Sequence, residues 1–500
     1  MNRDWLDAAH LALPGHGAFG EHPALHQVYE LNGAVGRLVI HLDAGSEQEF
    51  VFPNLRLVGM GGKELPLRQV VADVRASSLN DRHKGQDLKD LVLTGKPILS
   101  GREARPTLTL VLKPGVRLSK LRLASRGKHF GRVGRNICVT AYANGRIILS
   151  QRNNDPRDLL DVFKGLCDAC GIAPPKRMDA AERGRVVALL RERLLDRIRA
   201  GECDAAPRHL LYLLPVLQKS TEMTAFDRTV SAQLLLALGG KRLVVKTSDL
   251  EPLSLIMSSP ERLESVVAEA NALATARLGR EVNIVACKHT FQEPKLIRER
   301  ERFLLALDDI FPALLKCGVT PMLCYGSLLG AVRDGGFIPH DDDIDILYFD
   351  GSRSREEMLA KRKQLSDALE AMGYVSDLGD RIVNFHVRGK NGTLDLFPSW
   401  QEKGKLHVML RYPQYHPVAE SVLVPTGTVS LYGHVYPAPA KPEEFLKIRY
   451  GKGWGVSDPY YEWPWPLEGR TSRAAAIQAA YAPQVNRFRK VLNLLRRRPA

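Results

Sequence analysis

The sequence predicts an α+β multidomain protein with an N-terminal β-sandwich, a helical middle region, and a C-terminal mixed sheet with helices. Short runs rich in β-branched residues, separated by Gly, Pro and Asn, fill residues 21–154. Apolar residues recur at helical spacing over residues 155–290, and strand-like and helix-like segments alternate over residues 291–500. A chain of 500 residues also exceeds what one typical core accommodates, which supports a division into three domains at these boundaries.

The N-terminal region is predicted to be a sandwich because its short strands follow one another without long helices between them. Several runs alternate apolar and polar residues, as half-buried strands do. The runs are RLVIHL (37–42), EFVFPNLRLVG (49–59), TLTLVL (107–112), NICVTAYA (136–143) and RIILSQ (146–151). The stretch Thr107–Ser150 resembles the last strands of galactose-binding-like jelly rolls, which implies carbohydrate binding. A spacer or assembly domain is the alternative.

Two segments of the middle region have clear helix boundaries. Residues 180–201 carry apolar side chains at helical spacing and end at a glycine. Residues 258–279 begin with Ser-Pro, an N-cap followed by proline in the first turn, and also end at a glycine. No motif that carries chemistry occurs in this region of the sequence.

The net charge of +15 favours anionic partners such as phosphorylated substrates, nucleic acid or anionic lipid. Nucleic acid is disfavoured because the sequence has no aromatic-rich RNA-binding motif. Residues 1–22 lack the apolar core of a signal peptide, so a cytoplasmic location is expected. Residues 485–500 place apolar side chains at helical spacing among basic ones, which predicts peripheral contact with the inner face of an anionic membrane. A plain terminal helix with a solvated basic face is the alternative.

A cluster of aspartates occurs at Asp341, Asp342, Asp343 and Asp345. Alternation along a strand puts Asp343 and Asp345 on one face and Ile344 on the other, buried face. Two carboxylates about 4 Å apart repel by ~1 kcal/mol in water and by ~4 kcal/mol at an effective dielectric constant of 20. A cation between them removes this cost, and oxygen ligands favour Mg²⁺ or Mn²⁺. Asp342 is expected at the surface, and Asp341 is either a further ligand or exposed.

A glycine-serine turn precedes the aspartates. Gly326 and Ser327 follow the strand-like run PMLCY, and Ser327 is expected to cap the helix after it. The free N–H groups at the start of a helix attract phosphate. Arg333 can either reach an anion or complement the C-terminal end of the helix. His340 is either a donor-binding group or a packed turn residue.

Asp395 lies within the apolar run NGTLDLFPSW (391–400). A lone buried carboxylate is costly, so this residue requires a partner. If its strand lies beside the strand of Asp343 and Asp345, Asp395 completes a three-carboxylate site.

Three segments together resemble the LicD family, which includes fukutin and fukutin-related protein and belongs to the nucleotidyltransferase superfamily. These segments are GSLLGAVRDGGFIPHDDDIDI (326–346), LDLFP (394–398) and PAPAKPEEFLKIRYGKGWG (437–455). The chain departs from the family at His340, where the family usually has Trp. The matching positions lie between residues 320 and 455, and the first segment is long enough to be specific.

The resemblance implies a metal-dependent transferase with a nucleotidyltransferase-like fold. Such an enzyme moves a phosphorylated alcohol, for example phosphocholine, from a CDP-activated donor to a hydroxyl of a cell-surface glycan or its lipid-linked precursor, as in capsule or lipopolysaccharide synthesis. The implied roles are catalysis by Asp343, Asp345 and Asp395, binding of Mg²⁺ or Mn²⁺ by these residues with Asp341, and binding of donor phosphate by Gly326, Ser327, Arg333 and His340. Two alternatives remain: a nucleotidyltransferase acting on a small molecule, nucleic acid or protein, and a non-catalytic glycan-binding protein.

Overall fold

The computed structural model describes residues 2–125, 134–218, 222–378, 384–411 and 414–470. The chain forms two compact units. The first unit contains the described residues up to Ile284 and from Glu462 onward, and the second unit is Val285–Tyr461. The predicted membrane-contacting segment, residues 485–500, lies outside the described residues. None of the described helices is both long enough and apolar enough to span a membrane. The predicted division into three domains stays a prediction.

The first unit combines two antiparallel sheets with a set of helices. Its strands are β1 (Gln27–Ala34), β2 (Arg37–Leu42), β3 (Asn54–Gly59), β4 (Glu64–Leu65), β5 (Val71–Ala76), β6 (Thr107–Leu112), β7 (Arg117–Ala124), β8 (Ile137–Ala143), β9 (Arg146–Arg152) and β10 (Val245–Lys246). Its α-helices are α1 (Arg3–Ala12), α2 (Leu67–Val70), α3 (Leu88–Leu93), α4 (Pro156–Ala169), α5 (Ala180–Ala200), α6 (Pro207–Tyr212), α7 (Ala225–Gly239) and α8 (Pro260–Leu278).

The N-terminal strands form two antiparallel sheets with the orders β1-β7-β3-β4 and β5-β6-β2-β8-β9. One hydrophobic core joins them, because Leu38 and Ile40 of β2 belong to the same buried cluster as Leu57 of β3 and Leu121 of β7. The predicted β-rich region is therefore present. Its jelly-roll topology stays a prediction.

Capping residues set the bounds of the two helices predicted in the middle region. Asp179 and Glu182 form a reciprocal capping box at the start of α5, and Gly201 ends this helix with a φ of 77°. Ser259 accepts a hydrogen bond from the Arg262 backbone N–H at the start of α8. A positive φ at the position after each helix costs a glycine little, because glycine has no Cβ.

The second unit is a mixed sheet with helices packed against it, as predicted. Its strands are β11 (Val285–Ala286), β12 (Thr290–Gln292), β13 (Thr320–Leu323), β14 (Asp345–Phe349), β15 (Val375–Asp377), β16 (Phe385–Arg388), β17 (Thr393–Glu402), β18 (Lys405–Arg411), β19 (Gln414–Ala419), β20 (Gly427–Leu431) and β21 (His434–Ala438). Its α-helices are α9 (Lys295–Arg298), α10 (Arg300–Lys316), α11 (Tyr325–Arg333), α12 (Arg355–Ala371), α13 (Glu420–Leu423) and α14 (Pro442–Tyr450).

The main sheet of the second unit has the strand order β13-β14-β17-β16-β15, and β18 and β19 extend it beyond β17. Strands β14 and β17 run parallel, and the other neighbouring pairs are antiparallel. Ile344, Ile346 and Leu396 are fully buried in the core of this unit. The central parallel pair is the part of the sheet that positions the candidate site.

The amphipathic sequence of residues 293–318 forms two helices, α9 and α10. The break falls at Glu299, which has φ −105° and ψ 26° and ends the first segment. The Glu299 carboxylate forms ion pairs with Arg298 and Arg302. The apolar face of α10, which includes Phe303 and Leu307, is buried as the helical spacing predicts.

Candidate active site

Two aspartates lie opposite each other where β14 and β17 begin to pair. The parallel register places Asp345 against Asp395. Carboxylate oxygens of Asp343, Asp345 and Asp395 all lie within 4.8 Å of one another. The structure thus brings together the three acids that the sequence predicts as the catalytic group.

The acids are more exposed than the isoleucines between and after them. Ile344 and Ile346 are 0% exposed and face the core, whereas Asp343 and Asp395 are only partly buried. Asp345 lies between these extremes at 9% exposure. The acids therefore face a site that solvent and small ions can reach, and the isoleucines hold the strand in place.

Burial and mutual repulsion disfavour the charged forms of these acids. Burial, followed by the charges of Asp342 and Asp395, raises the pKa of Asp343 to about 7. Burial, followed by the Asp343 charge, raises the pKa of Asp345 well above its usual range. A bound divalent cation would reverse this cost, and three convergent carboxylates are a donor set that suits Mg²⁺ or Mn²⁺.

Asp341 and Asp342 extend the acidic group beyond the three strand residues. Oxygens of Asp341, Asp342 and Asp343 also lie within 4.8 Å of one another. The prediction of a surface Asp342 was wrong, because this residue is partly buried and accepts a hydrogen bond from Thr290 Oγ1 at 3.2 Å. Strand alternation does not apply here, since β14 begins only at Asp345 and the preceding aspartates lie in a loop.

The helix α11 starts next to the acidic loop. Tyr325 adopts a left-handed φ of 46° at the turn from β13 into the helix. A Cβ added to Gly326 would overlap the Asp341 Oδ2 atom, so any larger residue here would displace the Asp341 carboxylate. Ser327 Oγ accepts a hydrogen bond from the Asp345 backbone N–H at 3.0 Å and is 3% exposed. Ser327 is therefore not the expected cap, because the helix begins two residues earlier, and its hydroxyl fixes the start of β14 instead.

The loop after α11 lies directly against the helix. A Cβ at Gly330 would overlap the Gly336 carbonyl oxygen, so the second glycine of the motif permits this close approach. Tyr432 holds the loop from the other side, since its hydroxyl accepts from the Phe337 backbone N–H at 3.0 Å and its own N–H donates to the Gly335 carbonyl at 3.0 Å. The two motif glycines thus bring the acidic loop back to the start of the helix.

Arg333 is the last residue of α11, and His340 lies in the loop that follows this helix. Arg333 donates from Nε and Nη2 to the two carboxylate oxygens of Asp334 at 2.9 and 2.7 Å. Burial, followed by the Arg333 charge, lowers the pKa of His340. The guanidinium of Arg333 is therefore engaged by its sequence neighbour, and phosphate binding by Arg333 and His340 stays a prediction.

Sequence reasoning missed two neighbours of Asp395. His386 Nε2 lies 3.0 Å from Asp395 Oδ1, and Asn384 Nδ2 donates to Asp395 Oδ2 at 3.1 Å. His386 is the cross-strand partner of Asp395 in the antiparallel pair β16–β17. Both residues lie in the sequence RIVNFHV (381–387), whose register against Asp395 no local pattern gives.

A third missed residue is Lys288, whose charge lowers the pKa of both Asp343 and Asp345. It lies in the turn between β11 and β12, a segment without any recognisable motif. Thr290 of the same hairpin is the residue that donates to Asp342. The hairpin was not predicted, because its strands contain only two and three residues.

Comparison with known proteins gives an independent view of this region. The family profile described as "LicD/FKTN/FKRP, nucleotidyltransferase domain" matches residues 318–441. This range contains the glycine-serine turn, the acidic loop and Asp395. The crystal structure of ANT(2")-Ia in complex with adenylyl-2"-tobramycin aligns with 39% of this chain and 97% of that chain, with a TM-score of 0.22 and 16% identity. A TM-score of this size carries no conclusion about the fold.

Three curated proteins show sequence similarity to part of the chain. Ribitol 5-phosphate transferase FKRP of Homo sapiens is 26% identical over 176 residues, which are 34% of this chain and 34% of that protein. An uncharacterized protein of Caenorhabditis elegans is 26% identical over 187 residues, or 34% of this chain and 47% of that protein. An uncharacterized protein of Rickettsia prowazekii is 31% identical over 136 residues, or 25% of this chain and 47% of that protein.

The chain spans less than half the length of each of these relatives. The similarity therefore concerns one domain, and the activity of the whole protein is a separate question. The family profile and the human relative agree with the motifs around the carboxylates, and together they identify residues 318–441 as similar to the LicD/FKTN/FKRP nucleotidyltransferase domain.

Proposed function

We propose that the second unit transfers a phosphorylated alcohol from a CDP-activated donor to a hydroxyl of a cell-surface glycan or its lipid-linked precursor. The observation that carries the proposal is the convergence of Asp343, Asp345 and Asp395, whose oxygens lie within 4.8 Å of one another beside the start of α11. The match of residues 318–441 to the family profile and the similarity to a protein named as a ribitol 5-phosphate transferase support a transferred group that contains phosphate.

A divalent cation, Mg²⁺ or Mn²⁺, would be held by Asp343, Asp345 and Asp395, with Asp341 as a further ligand. The raised pKa values of Asp341, Asp343 and Asp345 support this assignment, because burial and then mutual repulsion disfavour their charged forms, and a cation offsets both. When bound, the cation neutralises negative charge on the diphosphate and on the departing CMP.

The start of α11 orients the donor in this proposal. The first N–H groups of a helix carry partial positive charge and bind phosphate oxygens. Gly326 leaves room for the Asp341 carboxylate at this point. Ser327 contributes by fixing Asp345 through the hydrogen bond to its backbone N–H.

Asp395 is the group that we assign to the acceptor. The acceptor oxygen forms a bond to the phosphorus that carries the alcohol, the bond from this phosphorus to the CMP oxygen breaks, and Asp395 takes the acceptor proton. His386 and Asn384 each contact one oxygen of this carboxylate, at 3.0 and 3.1 Å, and so hold it in one orientation. Positioning of this kind supplies much of the rate of phosphoryl transfer.

The test is release of CMP from a panel that contains CDP-choline, CDP-ribitol and CDP-glycerol. Each donor is assayed with a cell-glycan extract as acceptor, with Mg²⁺ and with chelator, for wild type and Asp343→Ala. We expect release from one donor, loss of release with chelator, and a decrease of at least about 100-fold in the variant. The donor that reacts identifies the transferred group.

Absence of CMP release from every donor would contradict the proposal. Incorporation of nucleotide from ATP, CTP or UTP into the extract under the same conditions would then establish the alternative function, a nucleotidyltransferase. If neither reaction occurs and the protein still binds the extract, it is a glycan-binding protein.

A further inference from the structure

The hairpin β11–β12 lies ahead of the segment that matches the family, and it brings a lysine to the acidic site. Val285 pairs with Gln292 and Ala286 with Phe291, and the Cys287 N–H donates to the Thr290 carbonyl at 2.7 Å. Lys288 and His289 occupy the turn and are both exposed. The tip of the hairpin is therefore a basic group held on a short, closed backbone.

The hairpin is held to the acidic loop by a hydrogen bond. Thr290 Oγ1 donates to Asp342 Oδ2 at 3.2 Å. Cys287 and Phe291 are 1% and 0% exposed, so the residues on both sides of the turn are buried. Burial, followed by the charges of Asp342 and Asp341, raises the pKa of the Cys287 thiol to about 12, which again places the hairpin beside the acids. This anchoring restricts where the Lys288 ammonium can reach.

The charge of Lys288 acts on the same carboxylates that would hold the cation. It lowers the pKa of Asp343 and of Asp345, two residues at the centre of the site. Lys288 is two residues before Thr290, which donates to Asp342 Oδ2 at 3.2 Å, so its side chain starts beside the acidic loop.

We propose that Lys288 binds the diphosphate of the donor at the carboxylate site. The ammonium group offers three donors and a compact positive charge, which suits the oxygens of a diphosphate. This assignment rests on the proposed function, since it takes the diphosphate donor as the ligand of that site. It adds a phosphate-binding residue that lies outside the family-matched residues 318–441.

The test compares Lys288→Ala and Lys288→Arg with Lys316→Ala, a control at an exposed lysine at the end of α10. The probes are Mn²⁺ alone, and CDP and inorganic pyrophosphate at saturating Mg²⁺, all measured by titration calorimetry. Lys288→Ala should weaken CDP and pyrophosphate binding about tenfold, whereas Lys288→Arg and the control should stay within about threefold of wild type. Mn²⁺ alone should bind Lys288→Ala as tightly as wild type or more tightly, because a competing positive charge has been removed.

Weaker binding of CDP and pyrophosphate without weaker binding of Mn²⁺ would distinguish a phosphate-binding residue from one that only supports the structure of the site. A residue that only supports the site would weaken Mn²⁺ and pyrophosphate together when removed, and this result would overturn the inference. Unchanged affinity for CDP and pyrophosphate in Lys288→Ala, or failure of the wild type to bind either probe, would overturn it as well. If pyrophosphate binding depends on Lys288 but no CDP-alcohol reacts, the proposed function fails while the diphosphate site stands.

Discussion

Asp345 and Asp395 face each other across the parallel pair of strands β14 and β17, although 50 residues separate them in the sequence. This register brings the later aspartate to the earlier cluster and creates a three-carboxylate site. A shift by one residue would turn Asp395 toward the core and place Leu394 or Leu396 at the site, because side chains alternate along a strand. The register is fixed by the buried partners on both sides, which include Ile346 opposite Leu396.

The acids should destabilise the metal-free protein at neutral and alkaline pH. The pKa of Asp343 is raised from 3.8 to about 7 on folding, so the folded state favours the protonated form and loses stability as pH rises from about 4 through 7. Asp343→Asn removes this charge, and we expect it to raise the free energy of unfolding by about 1–3 kcal/mol near pH 8, after allowance for its partial exposure. This increase in the free energy of unfolding should become smaller as the pH approaches 4.

Thermal unfolding in chelator across this pH range measures the effect. Asp367→Asn, which removes an exposed acid paired with Lys363 on α12, is the matched control and should change little at any pH. Equal pH dependence of unfolding in wild type and Asp343→Asn would show that folding does not raise the pKa of Asp343.

Gly326→Ala should abolish activity while leaving a folded protein. The added methyl would overlap the Asp341 carboxylate and push the acidic loop away from the helix start. We expect CMP release to fall by at least about 100-fold, since small displacements at a reacting centre have large effects on rate. Gly184→Ala is the control, because its position on α5 is exposed and has open space around it. That substitution should stabilise the protein by about 0.5–1 kcal/mol and leave the rate unchanged. Normal CMP release by Gly326→Ala would contradict the expected displacement of the Asp341 carboxylate by the added methyl group.

His386 and Asn384 should act through Asp395. His386→Gln and Asn384→Ala should each reduce kcat for CMP release by about tenfold, because each removes one contact to this carboxylate. The double variant should lose less than the product of the two factors, since both residues act on one group. His434→Gln, at a half-exposed histidine of β21, is the control and should have wild-type kcat. Full multiplication of the two effects would mean that His386 and Asn384 act independently of each other, which would contradict a shared action through Asp395.

Local patterns predicted the elements of the fold well. Strands β2 and β6 have the bounds that their β-branched, alternating sequences indicate, and the glycine after α5 ends this helix as expected. These features depend on a few neighbouring residues, so a single sequence contains them. The same is true of the aspartate cluster that contains Asp343 and Asp345, although Asp343 precedes β14 and strand alternation does not place it.

Features that depend on distant pairing could not be predicted in the same way. The contact of His386 with Asp395 requires the register of β16 against β17, which no local pattern specifies. Lys288 lies in a hairpin held by tertiary contacts, and its strands are too short to give a periodic signal. The hydrogen bond between Ser327 Oγ and the Asp345 backbone N–H could not be predicted either, because it depends on where α11 begins relative to β14.

Titration with Mn²⁺, followed by electron paramagnetic resonance of the free ion, tests most directly whether the three carboxylates form one cation site. The variants are Asp343→Asn, Asp345→Asn and Asp395→Asn, with Asp367→Asn as the control, and each is first shown to unfold cooperatively. The account predicts saturable binding by wild type and the control, and a loss of affinity of at least about tenfold in each of the three variants. Binding that is unchanged by all three substitutions, or no saturable binding by the wild type, would contradict it.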